Sequence, residues 1–149
     1  MKNRKRGFSL VELLIVLAVI AALIATITPV ALNAIQKAKA TKVGQNLKTL
    51  ASAFENYVYV SGEAPSNLDD IGRDIDDTLY TVFFDYSSTS GDYTVVVKTS
   101  EQANSGIMAD LIANAVEGDY TTTGFTELTS TGSLDGDPTY YYLFNFTNY

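Results

Sequence analysis

The chain has 149 residues, ten Lys+Arg against seventeen Asp+Glu, a formal charge of −7, and no Cys, His or Trp. The missing Cys excludes disulfides, thiolate metal sites and thiol nucleophiles, and the missing His excludes a serine-type triad and imidazole-bound zinc. The length fits a single globular unit, and the charge is segregated along it. Lys2, Arg4, Lys5 and Arg6 open the chain, Lys37, Lys39, Lys42 and Lys48 form a second group, and only Arg73 and Lys98 follow. Beyond residue 48 there are sixteen carboxylates against those two cations, together with every aromatic residue except Phe8. Such a surface repels phosphate backbones, so direct nucleic-acid binding is not expected.

Residues 13–36 hold no charge at all. At about 1.5 Å per residue the segment reaches about 36 Å as a helix, enough to cross a hydrocarbon core of about 30 Å. A removable secretory signal is shorter and closes at a small-residue cleavage site, whereas here the helical pattern continues past the apolar run. The basic residues before it predict a cytoplasmic N-terminus, with the acidic remainder outside. Glu12 stands at the start of the apolar run, where a carboxylate needs either a route to the interface or a partner. Pro29 lacks an N–H and clashes with the preceding turn, so it predicts a kink in the helix, with Thr26 and Thr28 placed to bind freed carbonyls.

From residue 30 the pattern becomes amphipathic. Val43, Leu47, Leu50, Phe54 and Tyr57 or Val58 form one stripe, Gly44 weakens it, and Ser61-Gly62 with Pro65 predicts a stop near Tyr59. The tetrad Ser66-Asn67-Leu68-Asp69 reads as a capping box opening a short helical turn. Residues 78–86 and 92–99 are β-branched and aromatic and flank Ser87-Ser88-Thr89-Ser90-Gly91, which predicts a hairpin. After Asn104-Ser105, the spacing of Ile107, Met108, Leu111, Ile112 and Ala115 or Val116 predicts a short helix. The turn Asp135-Gly136-Asp137-Pro138 precedes a final strand at 140–146. Together these elements predict an α+β fold: a long N-terminal helix with a small antiparallel sheet laid over the Leu47/Leu50/Phe54 stripe of its second half.

No phosphate loop or catalytic pattern is present, so an enzyme is not expected. Asp69, Asp70, Asp74, Asp76 and Asp77 cluster, as do Asp135 and Asp137, and hard oxygen ligands on turns suit calcium. Neither group has EF-hand spacing, and a solvated acidic loop is the plainer reading. No other cofactor is expected.

The stretch Lys5-Arg6-Gly7-Phe8-Ser9-Leu10-Val11-Glu12-Leu13-Leu14 resembles the class III signal of the type IV pilin-like family: type IV pilins, minor pilins and the pseudopilins of type II secretion. The resemblance implies a leader of residues 1–7 removed by a prepilin peptidase after Gly7. It also implies N-methylation of Phe8 by the same enzyme, and a membrane and assembly half of the helix over 8–29 that includes the disrupting Pro29. An amphipathic outer half over 30–60 and a β-rich head over 61–149 complete the expected domain order. Cleavage frees an amine four residues before Glu12, so in a staggered homo-oligomer the amine of one copy neutralises the carboxylate of the next within an apolar bundle. Partners implied are membrane lipid, the peptidase/methyltransferase, an inner-membrane platform and an assembly ATPase. The implied location is a single-pass inner-membrane precursor, then a surface or periplasmic filament. The main subunit of an extracellular fibre is the first reading. A pseudopilin or minor pilin is the alternative, and a single-pass anchor carrying a sensor or enzyme domain is the reading from another class.

Overall fold

A computed structural model of the chain describes residues 8–72, 75–128, 134 and 136–148. Its internal contacts divide at Gln36/Lys37 into two compact units. Helix α1, Leu10–Ser61, supplies residues to both.

In the first unit every described residue is exposed. By length and composition α1 is able to cross a membrane, and its most apolar window has none of its residues buried. Water would not leave such a surface bare; lipid or other helices are the environments that suit it. The helix continues through Pro29. Thr26 Oγ1 donates to the Leu23 carbonyl at 2.9 Å and Thr28 Oγ1 to the Ile24 carbonyl at 2.7 Å. This corrects the expectation that they serve the carbonyl Pro29 sets free. That carbonyl belongs to Ala25: Thr26 is its immediate neighbour and cannot turn back to it, and Thr28, three residues on, bonds to the carbonyl four positions back instead.

The second unit carries the core. Ala40, Val43, Gly44, Leu47, Leu50, Ala51, Phe54 and Val58 are the buried residues of α1, at helical spacing. Gly62, with φ +79° and its N–H bonded to the Val58 carbonyl at 2.8 Å, ends the helix two residues beyond the expected stop. The sheet comprises β1 (Tyr80–Ser87), β2 (Asp92–Thr99), β3 (Ala115–Glu117), β4 (Thr126–Glu127) and β5 (Tyr140–Thr147), all neighbours antiparallel, in the order β3-β5-β2-β1-β4. The β1/β2 pairing runs from Tyr80↔Thr99 to Ser87↔Asp92, so the Ser-rich loop does close a hairpin.

Alternation along the strands decides which side chains meet the helix. Tyr80, Val82, Tyr93, Val95, Val97 and Tyr140 join the Leu47/Leu50/Phe54 cluster, with Phe84, Tyr142, Phe144 and Phe146 packed against it. Phe54 sits among Phe84, Tyr93 and Phe146, with centroids at 5.4, 6.1 and 6.2 Å. On the opposite face Lys98 is nearly buried: Nζ lies 2.7 Å from Asp119 Oδ1, 3.2 Å from Thr122 Oγ1 and 4.7 Å from the centre of the Phe83 ring. Tyr120 packs on Phe125 and Tyr141, so the stretch after β3 covers that face.

Two short elements differ from expectation. The turn after Pro65 is a 3₁₀ turn, Leu68–Asp70, entered one residue later than predicted. Asp70 Oδ2 accepts from the backbone N–H groups of Ser66 and Asn67, which fixes Asn67 and not Ser66 at its start. Helix α2 is Ser105–Leu111, with Asn104 Oδ1 accepting from Ile107 N–H at 3.2 Å. It stops where Ile112 turns extended, and Ala115 and Val116, read as part of its pattern, instead pair with Tyr142 and Tyr141 in β3.

Candidate assembly and processing segment

Glu12 is the residue on which the sequence places most weight, and the structure gives it a partner within its own helix. The Ser9 carbonyl accepts from Leu13 N–H at 3.1 Å, so Ser9 is the N-cap of α1. Ser9 Oγ accepts from Val11 N–H at 3.3 Å, and Glu12 Oε2 accepts from Ser9 N–H at 2.8 Å. Ser9-Leu10-Val11-Glu12 thus has the Ser-x-x-Glu spacing of a capping box, with the carboxylate at the positive end of the helix. The spacing is visible in the sequence, and the bond it makes is a third outcome beside the route to the interface and the counter-ion expected for this carboxylate.

The geometry leaves Glu12 available. It is exposed, one oxygen is engaged by a neutral N–H, and a carboxylate accepts several donors. Phe8 is 73% exposed directly before the cap, and the apolar side chains that follow stand free as far as Ile35. Gly7, the residue before the expected cut, lies outside the described residues, as do Asp135 of the calcium expectation and Asp74 of the earlier acidic cluster. Asp137 is exposed. Among the described residues no group of three or more acidic side chains is arranged to hold a metal.

Among the described residues of the second unit, a polar network of the kind that marks functional sites elsewhere centres on Tyr80. Tyr80 Oη donates to Glu101 Oε2 at 2.6 Å and accepts from Asn46 Nδ2 at 3.1 Å, and Lys42 Nζ lies 3.3 Å from Glu101 Oε1. Burial first, then the hydrogen bond to and charge of Glu101, holds the Tyr80 phenol far above its ordinary value. Tyr80 is 2% exposed, so the phenol at the centre of the network is closed to a substrate, and the network ties α1 to β1 and to the loop after β2.

Residues 2–28 match the family described as the prokaryotic N-terminal methylation motif. The chain carries a class III signal. The match ends within the apolar stretch, one residue before Pro29, and is consistent with the type IV pilin-like family. The methylation motif implies processing by a prepilin peptidase and points to a structural protein. Together with the apolar helix it is consistent with anchoring in a membrane. No curated protein and no solved structure matches the chain.

Proposed function

We propose that the chain is a filament subunit of the type IV pilus kind, stored in the inner membrane, cut after Gly7, N-methylated on Phe8 and polymerised through its N-terminal helices. The observation that carries the proposal is the bare apolar stretch of α1 directly behind the methylation motif, with a single capped carboxylate at its start. In the membrane the capping box lowers the cost of holding Glu12 near hydrocarbon by bonding it to Ser9. On assembly the amine of a neighbouring copy, a charged donor, replaces or joins that neutral N–H and makes the stronger bond. The free energy of that exchange is realised only in the correct register, which makes Glu12 an alignment device.

Two measurements test this reading. Mass spectrometry of the protein from cells with active peptidase should find a chain beginning at methylated Phe8; a chain beginning at Met1 or Lys2 refutes it. Glu12→Ala should leave processing and insertion intact while filament yield falls at least about tenfold, as expected for loss of a desolvated charge pair worth more than about 1.4 kcal/mol. Wild-type yield would refute the role given to Glu12.

A further inference from the structure

Residues 37–149 hold six cations against sixteen carboxylates, so copies brought side by side repel unless an ordered contact pairs the two signs. Two grooves on α1 have rims of opposite sign. The first, about 210 Å³, is formed by Thr41, Gly44, Gln45, Lys48, Leu111 and Ile112. The second, about 530 Å³, is formed by Ala53, Asn56, Tyr57, Val60, Ser61, Asp70 and Ile71. Lys48 is exposed and makes no ion pair among the described residues, and Lys37, exposed three turns earlier on the same side of the helix, makes none either. Around the second groove Asp69 and Asp70 are exposed, and Val60, 90% exposed, projects as an apolar knob.

We infer that these grooves bind each other in two copies of this chain, with the Val60 knob and acidic rim of one copy seated against the Lys48 rim and Leu111 of the next. The inference rests on the filament reading and adds the contact that orders the heads. At about 100° and 1.5 Å per residue the groove centres lie about 140° apart around α1 and about 19 Å apart along it. Unlike patches at different heights and azimuths make a heterologous contact, which propagates as an open helix instead of closing as a dimer. Placing two copies in register would set lysine beside lysine, so the charge pattern also selects against the unstaggered arrangement.

The absence of cysteine makes a clean test available. Gln45→Cys and Asn56→Cys place one thiol on each groove at exposed positions, in the full chain expressed with the processing machinery. Oxidation of sheared fibres carrying both substitutions should give a ladder of cross-linked oligomers, and co-expression of the two single variants should give dimers. Each single variant alone should stay monomeric on denaturing gels, because a disulfide needs Cα atoms about 4.4–6.8 Å apart. Adding Lys48→Glu, which turns attraction into repulsion, should lower the ladder roughly tenfold, and assembling at about 1 M salt should lower it about two- to fivefold, since the pairs lie at the surface. Fibres that form but never cross-link between these positions overturn the inference and leave the filament reading standing, as does dimer formation by either single variant. Processed protein that never polymerises overturns both.

Discussion

Gly44 lies inside a helix, where glycine costs about 1 kcal/mol against alanine, and its position turns that cost into a test of the packing. A Cβ added there would meet Ile112 Cδ1 at 2.4 Å and Cγ1 at 3.1 Å, with Met108 Sδ at 3.8 Å. The first distance is too short to persist, and Ile112 is only 5% exposed, so its side chain must turn off its preferred rotamer toward the shallow groove beside Lys48. Overpacking of this kind costs about 1–3 kcal/mol, against the roughly 1 kcal/mol gained in helix propensity. Gly44→Ala should therefore lower stability by about 1 kcal/mol, which for a unit near 100 residues is about 4 °C in Tm. Ile112→Val removes the clashing methyl and alone should cost about 0.5–1.5 kcal/mol. Combined, the two should be less damaging than their sum by about 1–2 kcal/mol, because each relieves the other. Thermal unfolding of the detergent-solubilised chain, followed by the near-ultraviolet dichroism of its tyrosines, measures all four corners of the cycle. A Gly44→Ala protein that melts about 4 °C higher, with effects additive to Ile112→Val, would refute the close approach of α2 to α1.

Ser9→Ala removes the hydroxyl from the α1 cap and should cost about 1 kcal/mol locally, read as roughly fivefold faster amide exchange at Leu10–Leu13 in micelles, with residues past Pro29 unchanged. The Tyr80 phenol is raised in the fold, so its contribution is fully present below pH about 10 and lost as pH rises above that; Tyr93 and Tyr140 are raised as well. Tyr80→Phe should flatten most of that alkaline fall in Tm while costing about 1–2 kcal/mol at neutral pH, since Glu101 and Asn46 lose their shared partner. For the Lys98–Asp119 pair the two partners should behave unequally. Asp119→Asn leaves a nearly buried cation without its counter-charge and should destabilise by about 1–2 kcal/mol, whereas Lys98→Met, in chemical unfolding, should be close to neutral.

Where a segment repeats one period for long enough, the sequence alone defined its element. The stripe from Val43 to Val58 survives in the structure because burial on one helix face leaves no other set of positions that hides the same side chains, and Asp92–Thr99 is a strand with its predicted bounds because its β-branched run is buried on both faces from Val95 to Thr99. Short pieces failed for the same reason in reverse. Ala115–Glu117 and Thr126–Glu127 are too brief to carry a period, and they are strands only because Tyr140–Tyr142 and Phe83–Phe84 lend them a ladder. At the assembly segment, Phe8 and Glu12 were legible from type and position. The bond from Ser9 N–H to Glu12 is also encoded there, in the Ser-x-x-Glu spacing, which in a segment this apolar is overshadowed by the cost of the charge.

Strand β5 is the last in sequence, yet it lies between β2 and β3. A ribosome has therefore to pass Thr147 before Asp92–Thr99 gains its second neighbour along eight paired positions. Until then the hairpin presents a long unsatisfied border of valines and aromatics, the kind of border on which chains stick to one another. A stop codon or protease cut just ahead of Tyr140 would thus remove an inner strand, orphan β3 and leave the whole edge of β2 unpaired. Quality control for such a molecule turns on Tyr140–Thr147, and nascent copies near one another would need shielding until that strand is in place.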